Sequence, residues 1–141
     1  MENIEKFMIN VPEKDIDLLH QKIDLTRWPD EINNKWSHGT DLNFLKELTN
    51  YWRNEFNWRD HEKKINDIGS YRYTTKLGLK LHFLHSKSEK DNAIPLVMTH
   101  GWPGSIQEFL KIIPIIQKNS DVPVDIICPA LPGFGFSDKP T

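Results

Sequence analysis

The chain has 141 residues, a formal net charge of −2 and an ordinary charged fraction of 27%. That length suffices for one domain, and charges of both signs are interleaved without the basic patch that nucleic acid requires, so no nucleic-acid partner is expected. The single cysteine, Cys128, has no internal disulfide partner and lies in an apolar run, where it reads as a buried thiol in a reducing, cytoplasmic setting. The opening residues lack a basic start and a continuous apolar core, and no apolar run approaches the ~20 residues that span a bilayer, so neither a secretory leader nor a membrane anchor is predicted.

A short extended stretch is predicted over residues 7–11. Pro12 suits the start of a helix, because the donor it lacks would be unsatisfied there anyway. Ile16, Leu19 and Ile23 then recur at helical spacing, giving an amphipathic helix to about Thr26, ended by Trp28 and Pro29. Residues 30–40 are polar and irregular. Asp41 is a good cap for a second helix, with Leu45, Leu48, Trp52 and Phe56 on one stripe. Asn57 begins a third, short helix with Trp58 and Ile65 inward. Tryptophan and arginine alternate through this half. Their helical stripes and the net charge favour packing over base stacking.

From Tyr71 the period changes to two. Residues 71–75, a turn at Leu77 and Gly78, and residues 79–85 predict a β-hairpin. A charged loop over 86–92 follows. Then come a strand over 95–99, a helix over 105–118 striped by Phe109, Ile112, Ile113 and Ile116, and a strand over 124–128. Pro114 falls inside that helical pattern and should kink it or move its boundary. Two parallel strands joined by a helix make a right-handed βαβ unit. The boundary between the halves is placed near 66–70.

Between the strand over 95–99 and its helix stands His100-Gly-Trp-Pro-Gly-Ser105. Gly101 and Gly104 let the chain turn sharply and bring N–H groups close to a ligand. Pro103 donates no hydrogen bond and holds Trp102 extended, so the Trp102 N–H is free to face a pocket. Ser105 and Glu108 have capping-box spacing. The turn admits two readings, half of an oxyanion hole or an ordinary strand-to-helix connection.

This turn, followed further on by Leu131-Pro-Gly-Phe-Gly-Phe-Ser137, resembles the epoxide hydrolases of the α/β-hydrolase superfamily. Thr26-Arg-Trp-Pro-Asp30, Tyr51-Trp-Arg53, Asn57-Trp-Arg59 and Leu81-His-Phe83 resemble the extra N-terminal segment of the microsomal-type branch. The resemblance covers nearly the whole chain. It implies an α/β fold, with a helical segment over 1–68 and, over 69–141, the first strands of an α/β-hydrolase sheet (a hairpin plus a βαβ unit), left incomplete. The implied activity opens an epoxide to a vicinal diol through an aspartyl ester, without a cofactor, in the service of detoxification. The implied role of Trp102 is to donate its backbone N–H to the oxyanion, with His100, Gly101, Pro103 and Gly104 supporting the turn. Gly133, Phe134, Gly135 and Phe136 would border the pocket mouth.

The nucleophile is missing: no G-x-D-x-G or G-x-S-x-G elbow occurs, and in family order the catalytic histidine and its acid would follow Thr141. Gly133-Phe-Gly135 lacks the third glycine of a dinucleotide fingerprint. His20, His38, His61, His82 and His85 show no metal spacing. Tyr51, Tyr71 and Tyr73 do not match the lid tyrosines of the resembled enzymes. Three functions stay open: an epoxide hydrolase of which this is the amino-terminal part and a small epoxide the substrate; a non-catalytic product, alone or with a complementary fragment; and another α/β-hydrolase such as a dehalogenase or esterase. Two further expectations follow from the family's geometry. The Trp102–Pro103 bond should be cis, and the strand over 95–99 should form an uncovered sheet edge prone to self-association.

Overall fold

The computed structural model describes residues 3–30 and 35–140. Five strands form one mixed sheet in the order β1-β2-β3-β5-β4. The described residues pack as two compact units, one within residues 10–59 and one of residues 3–9 with 60–140.

In the helical unit, α1 spans Glu13–Asp24, behind Pro12 as its cap. α2 spans Leu42–Asn54, and the Asp41 carboxylate accepts the Phe44 N–H at 3.0 Å, as its cap position predicts. Arg53 grips Asp24 through Nε and Nη2 at 2.9 and 3.1 Å, joining the two helices. The predicted apolar stripe is only partly covered: Leu45 and Phe56 are half-buried, Leu48 and Trp52 are 50% and 45% exposed, and α2 buries no residue fully. Of the stretch predicted to be irregular, Lys35–His38 form a 3-10 turn and residues 31–34 lie outside the described residues.

The sheet unit shows why the N-terminal prediction was one strand short. The paired strand is β1, Ile4–Lys6, and not residues 7–11. It lies antiparallel against β2, Ser70–Thr74, with Ile4 opposite Tyr73. β1 is exposed at every position, so no apolar alternation announces it. Packing therefore places residues 3–9 with the sheet, and the division between the units falls within the residues of α3, Trp58–Ile68. β2 and β3, Lys80–Ser86, form the predicted hairpin. Gly78 takes φ +81° in its turn, a conformation that L side chains rarely adopt.

β5, Val124–Pro129, pairs antiparallel with β3 and parallel with β4, Ile94–Val97. The helix predicted over 105–118 is two pieces, a 3-10 turn Ile106–Phe109 and α4, Ile112–Asn119. Pro114 falls in the first turn of α4, where an N–H would have no helical partner, so it sets a boundary and makes no kink. Ile65, Leu84, Ile106, Ile113, Ile126 and Cys128 supply much of the core. β5 alternates strictly, with Val124, Ile126 and Cys128 inward.

Candidate functional site

β4 and β5 are parallel neighbours, so the turns that follow them leave the sheet at the same end. In open α/β sheets, ligands bind at the carboxyl ends of such strands. His100 lies in the first turn and Leu131 in the second. The Leu131 N–H donates to His100 Nε2 at 3.1 Å. Nε2 is thus the acceptor and Nδ1 carries the proton, which it donates to the Gly101 carbonyl at 3.0 Å. The ring, only 4% exposed, meets Phe134 edge-on at 5.1 Å. The imidazole thus bonds both within its own turn and to the loop after β5.

The Trp102–Pro103 bond is cis, as the family geometry predicts. The Trp102 side chain is 84% exposed, and its N–H donates to no backbone carbonyl among the described residues. The two glycines of the turn differ. A Cβ on Gly104 would lie 2.8 Å from the Gly101 carbonyl oxygen and would also overlap the Glu108 carboxylate, whereas a Cβ on Gly101 would meet nothing within 4 Å. The capping box is present: Ser105 Oγ accepts the Gln107 N–H at 3.2 Å, and Glu108 accepts the Ser105 N–H at 3.1 Å.

The loop over 131–138 is held along its whole length. Phe134 N–H donates to Leu131 and Ser137 N–H to Phe134, at 2.9 and 3.0 Å. Gly133 and Gly135 turn it at φ +84° and +51°. Ser137 Oγ donates to the Ala130 carbonyl at 2.8 Å and accepts the His82 N–H at 2.9 Å. The Asp138 carboxylate accepts the Lys80 N–H at 2.9 Å, fastening the end of the loop to β3. Phe136 is turned under the loop onto Phe7 and His82. His100, Trp102, Gly133 and Phe134 therefore share one end of the sheet, while the Phe136 ring faces inward. Sequence patterning missed Arg72, whose Nη2 donates to the Phe136 carbonyl at 3.1 Å. A cation alternating with tyrosines on a strand carries no signal for that role.

His82 is wholly buried beneath this loop, its Nε2 2.8 Å from Ser70 Oγ. Burial, and then the nearby Arg72 charge, push its pKa down to about 4. Burial pushes the Cys128 thiol up to about 11, so it is no nucleophile near neutrality. No group of three or more His, Cys, Asp or Glu side chains able to hold a metal occurs among the described residues. No described helix is long and apolar enough to cross a membrane. A cleft of about 1410 Å³ extends from Val124, at the start of β5, to Gln107 and Glu108, and none of residues 100–105 lines it.

Hairpin, parallel pair and glycine-rich turn after β4 together define the first part of an α/β-hydrolase core. The structure matches Aspergillus niger epoxide hydrolase with a TM-score of 0.86 at 27% identity, over 97% of this chain and 37% of that one. It matches the juvenile hormone epoxide hydrolase of the silkworm Bombyx mori with a TM-score of 0.85 at 29% identity, over 96% and 37%. In sequence the chain is 43% identical to a putative epoxide hydrolase of Stigmatella aurantiaca, over 98% of this chain and 33% of that protein. It is 39% identical to epoxide hydrolase 1 of Oryctolagus cuniculus, over 96% and 32%. Residues 4–109 match the family model described as epoxide hydrolase N terminus, and the chain belongs to that family. It spans about a third of the length of these curated relatives.

Proposed function

We propose that this chain serves the hydrolysis of a small epoxide to a vicinal diol, contributing the oxyanion-binding turn and not the nucleophile. In that reaction an aspartate oxygen bonds to an epoxide carbon as the ring C–O bond breaks, and the freed alkoxide takes a proton. Water, activated by a histidine, then adds to the ester carbonyl and the diol leaves. The intermediate carries its negative charge on the enzyme's own carboxyl oxygen, and the Trp102 N–H would donate to that oxygen. The observation that carries this reading is the Trp102 donor, left without a backbone acceptor among the described residues, in a turn bonded to His100. Gly133 and Phe134 would border the pocket, and residues 1–68 would be the N-terminal epoxide hydrolase segment. A role in detoxification and a cytoplasmic setting belong to the same reading; the free, buried Cys128 is compatible with a reducing compartment.

The test joins this chain to the C-terminal two thirds of the Stigmatella relative. The joined protein should form diol from a simple aryl epoxide, and Trp102→Ala, which keeps the N–H, should retain most of that turnover. Loss of turnover in Trp102→Ala would assign the role to the indole instead. The 141-residue chain alone should show no turnover above buffer.

A second reading rests on β4. It is an edge strand, with Ile94 and Val97 54% and 60% exposed. The N–H groups of Ile94 and Met98 point to β5, so Pro95 and Val97 face outward. The strand expected to start at Pro95 starts at Ile94, so the proline lies inside it and removes one donor from the free edge. Val97 still offers a pairing template, and we infer that the isolated chain self-associates there. Sedimentation at micromolar concentration should show oligomers; a monomer that binds no hydrophobic dye would remove this reading.

A further inference from the structure

Beneath the loop over 131–138 lies a cluster that the proposed chemistry does not use. Arg72, on β2, places its guanidinium carbon 3.8 Å from the centroid of the Phe7 ring. The same guanidinium donates through Nη2 to the Phe136 carbonyl at 3.1 Å. Phe7 lies 5.9 Å from the Phe136 ring and 5.5 Å from His82, and His82 meets Phe136 edge-on at 5.5 Å. No carboxylate pairs with Arg72 among the described residues, and its Nε is buried without a partner. A planar guanidinium can stack its face on a ring while one arm of its fork donates to a carbonyl; an ammonium has neither the flat face nor the fork. Both of these contacts therefore serve the underside of the loop. From Phe136 the loop's own hydrogen bonds lead through Ser137, Phe134 and Leu131 to His100.

We propose that Arg72 is a positioning residue of the candidate site: stacked on Phe7, it holds the Phe136 carbonyl and so fixes the loop that braces His100 and the Trp102 turn. The proposal rests on the reading of that turn as an oxyanion site. Its consequence is selective. Ester hydrolysis, which needs the oxyanion donor, depends on Arg72; ester formation does not.

The experiment uses the chain joined to the C-terminal two thirds of the Stigmatella relative, as wild type and as Arg72→Gln, Arg72→Lys and Phe7→Leu. Hydrogen exchange in the peptide covering 131–138 should be about tenfold faster in Arg72→Gln, the scale of one lost charge-assisted bond, with β3 and β5 peptides unchanged. Arg72→Lys should recover this only in part, because it lacks the fork. In single turnover, hydrolysis of the aspartyl ester should slow while its formation is retained. Unchanged loop exchange in both Arg72 variants overturns the proposal. So does equal slowing of both chemical steps, which would make Arg72 merely structural. Should Arg72→Gln fail to fold, Phe7→Leu carries the same comparison. Absence of any turnover in the wild-type joined protein would sink the epoxide reading instead, and the exchange comparison would still decide this one.

Discussion

The Leu131 N–H donates to His100 Nε2 at 3.1 Å, tying the turn after β4 to the turn after β5. Because the same ring donates from Nδ1 to the Gly101 carbonyl, one nearly buried side chain satisfies groups on both turns. His100→Ala should leave both without a partner and cost about 1–3 kcal/mol for each group that water does not reach. Urea unfolding, at concentrations low enough to avoid association, measures the loss. A change near zero would mean that a water molecule takes the place of the imidazole.

Gly104 and Gly101 should respond oppositely to alanine. The Gly104 Cβ would stand 2.8 Å from backbone at Gly101, which cannot swing aside as the Glu108 side chain can. Gly104→Ala should therefore shift the turn and destabilise by roughly 1–3 kcal/mol, the usual range for overpacking. Gly101→Ala, with open space around its Cβ, should leave the melting temperature close to wild type. Equal melting temperatures for both variants would contradict the geometry.

His82 makes stability depend on pH. Its folded pKa, about 4, lies below the ordinary value of 6.5, so the unfolded chain binds the proton more readily. This contribution is full above about 6.5, falls as pH drops through that window, and levels off below about 4. The two values bound the loss at about 3 kcal/mol. Urea midpoints between pH 7 and 4 should fall in wild type and flatten in His82→Leu, whatever that variant's starting stability. Retention of the same slope would assign the pH dependence to other groups.

Cys128 is wholly buried with its thiol pushed up to about 11. A thiol reagent at neutral pH should label the folded chain orders of magnitude more slowly than the urea-unfolded chain, since the thiolate and access are both required. Comparable labelling rates would show that the β3–β5–β4 region opens readily.

Much of the local structure was legible in the amino-acid order. The Asp41 cap, the Ser105–Glu108 capping box, the hairpin and the His100–Ser105 turn each arise from interactions between residues near in sequence, and each appears where its residue types place it. The family resemblance was legible for the same reason, since its motifs are short and contiguous. Other features needed the tertiary structure. β1 is a strand only because β2 offers it a partner; exposed at each position, it carries no periodic signal of its own. The α2 stripe is amphipathic in sequence, yet periodicity states only which face is apolar and not whether anything covers it. Pro114 was ambiguous until the helix start was fixed at Ile112. The bond from Leu131 to His100 and the Arg72 contacts with Phe7 and Phe136 join residues far apart in the chain. No local propensity encodes such pairs. They exist because the sheet sets β5 between β3 and β4, bringing the turn after β4 beside the turn after β5 and the latter over β2.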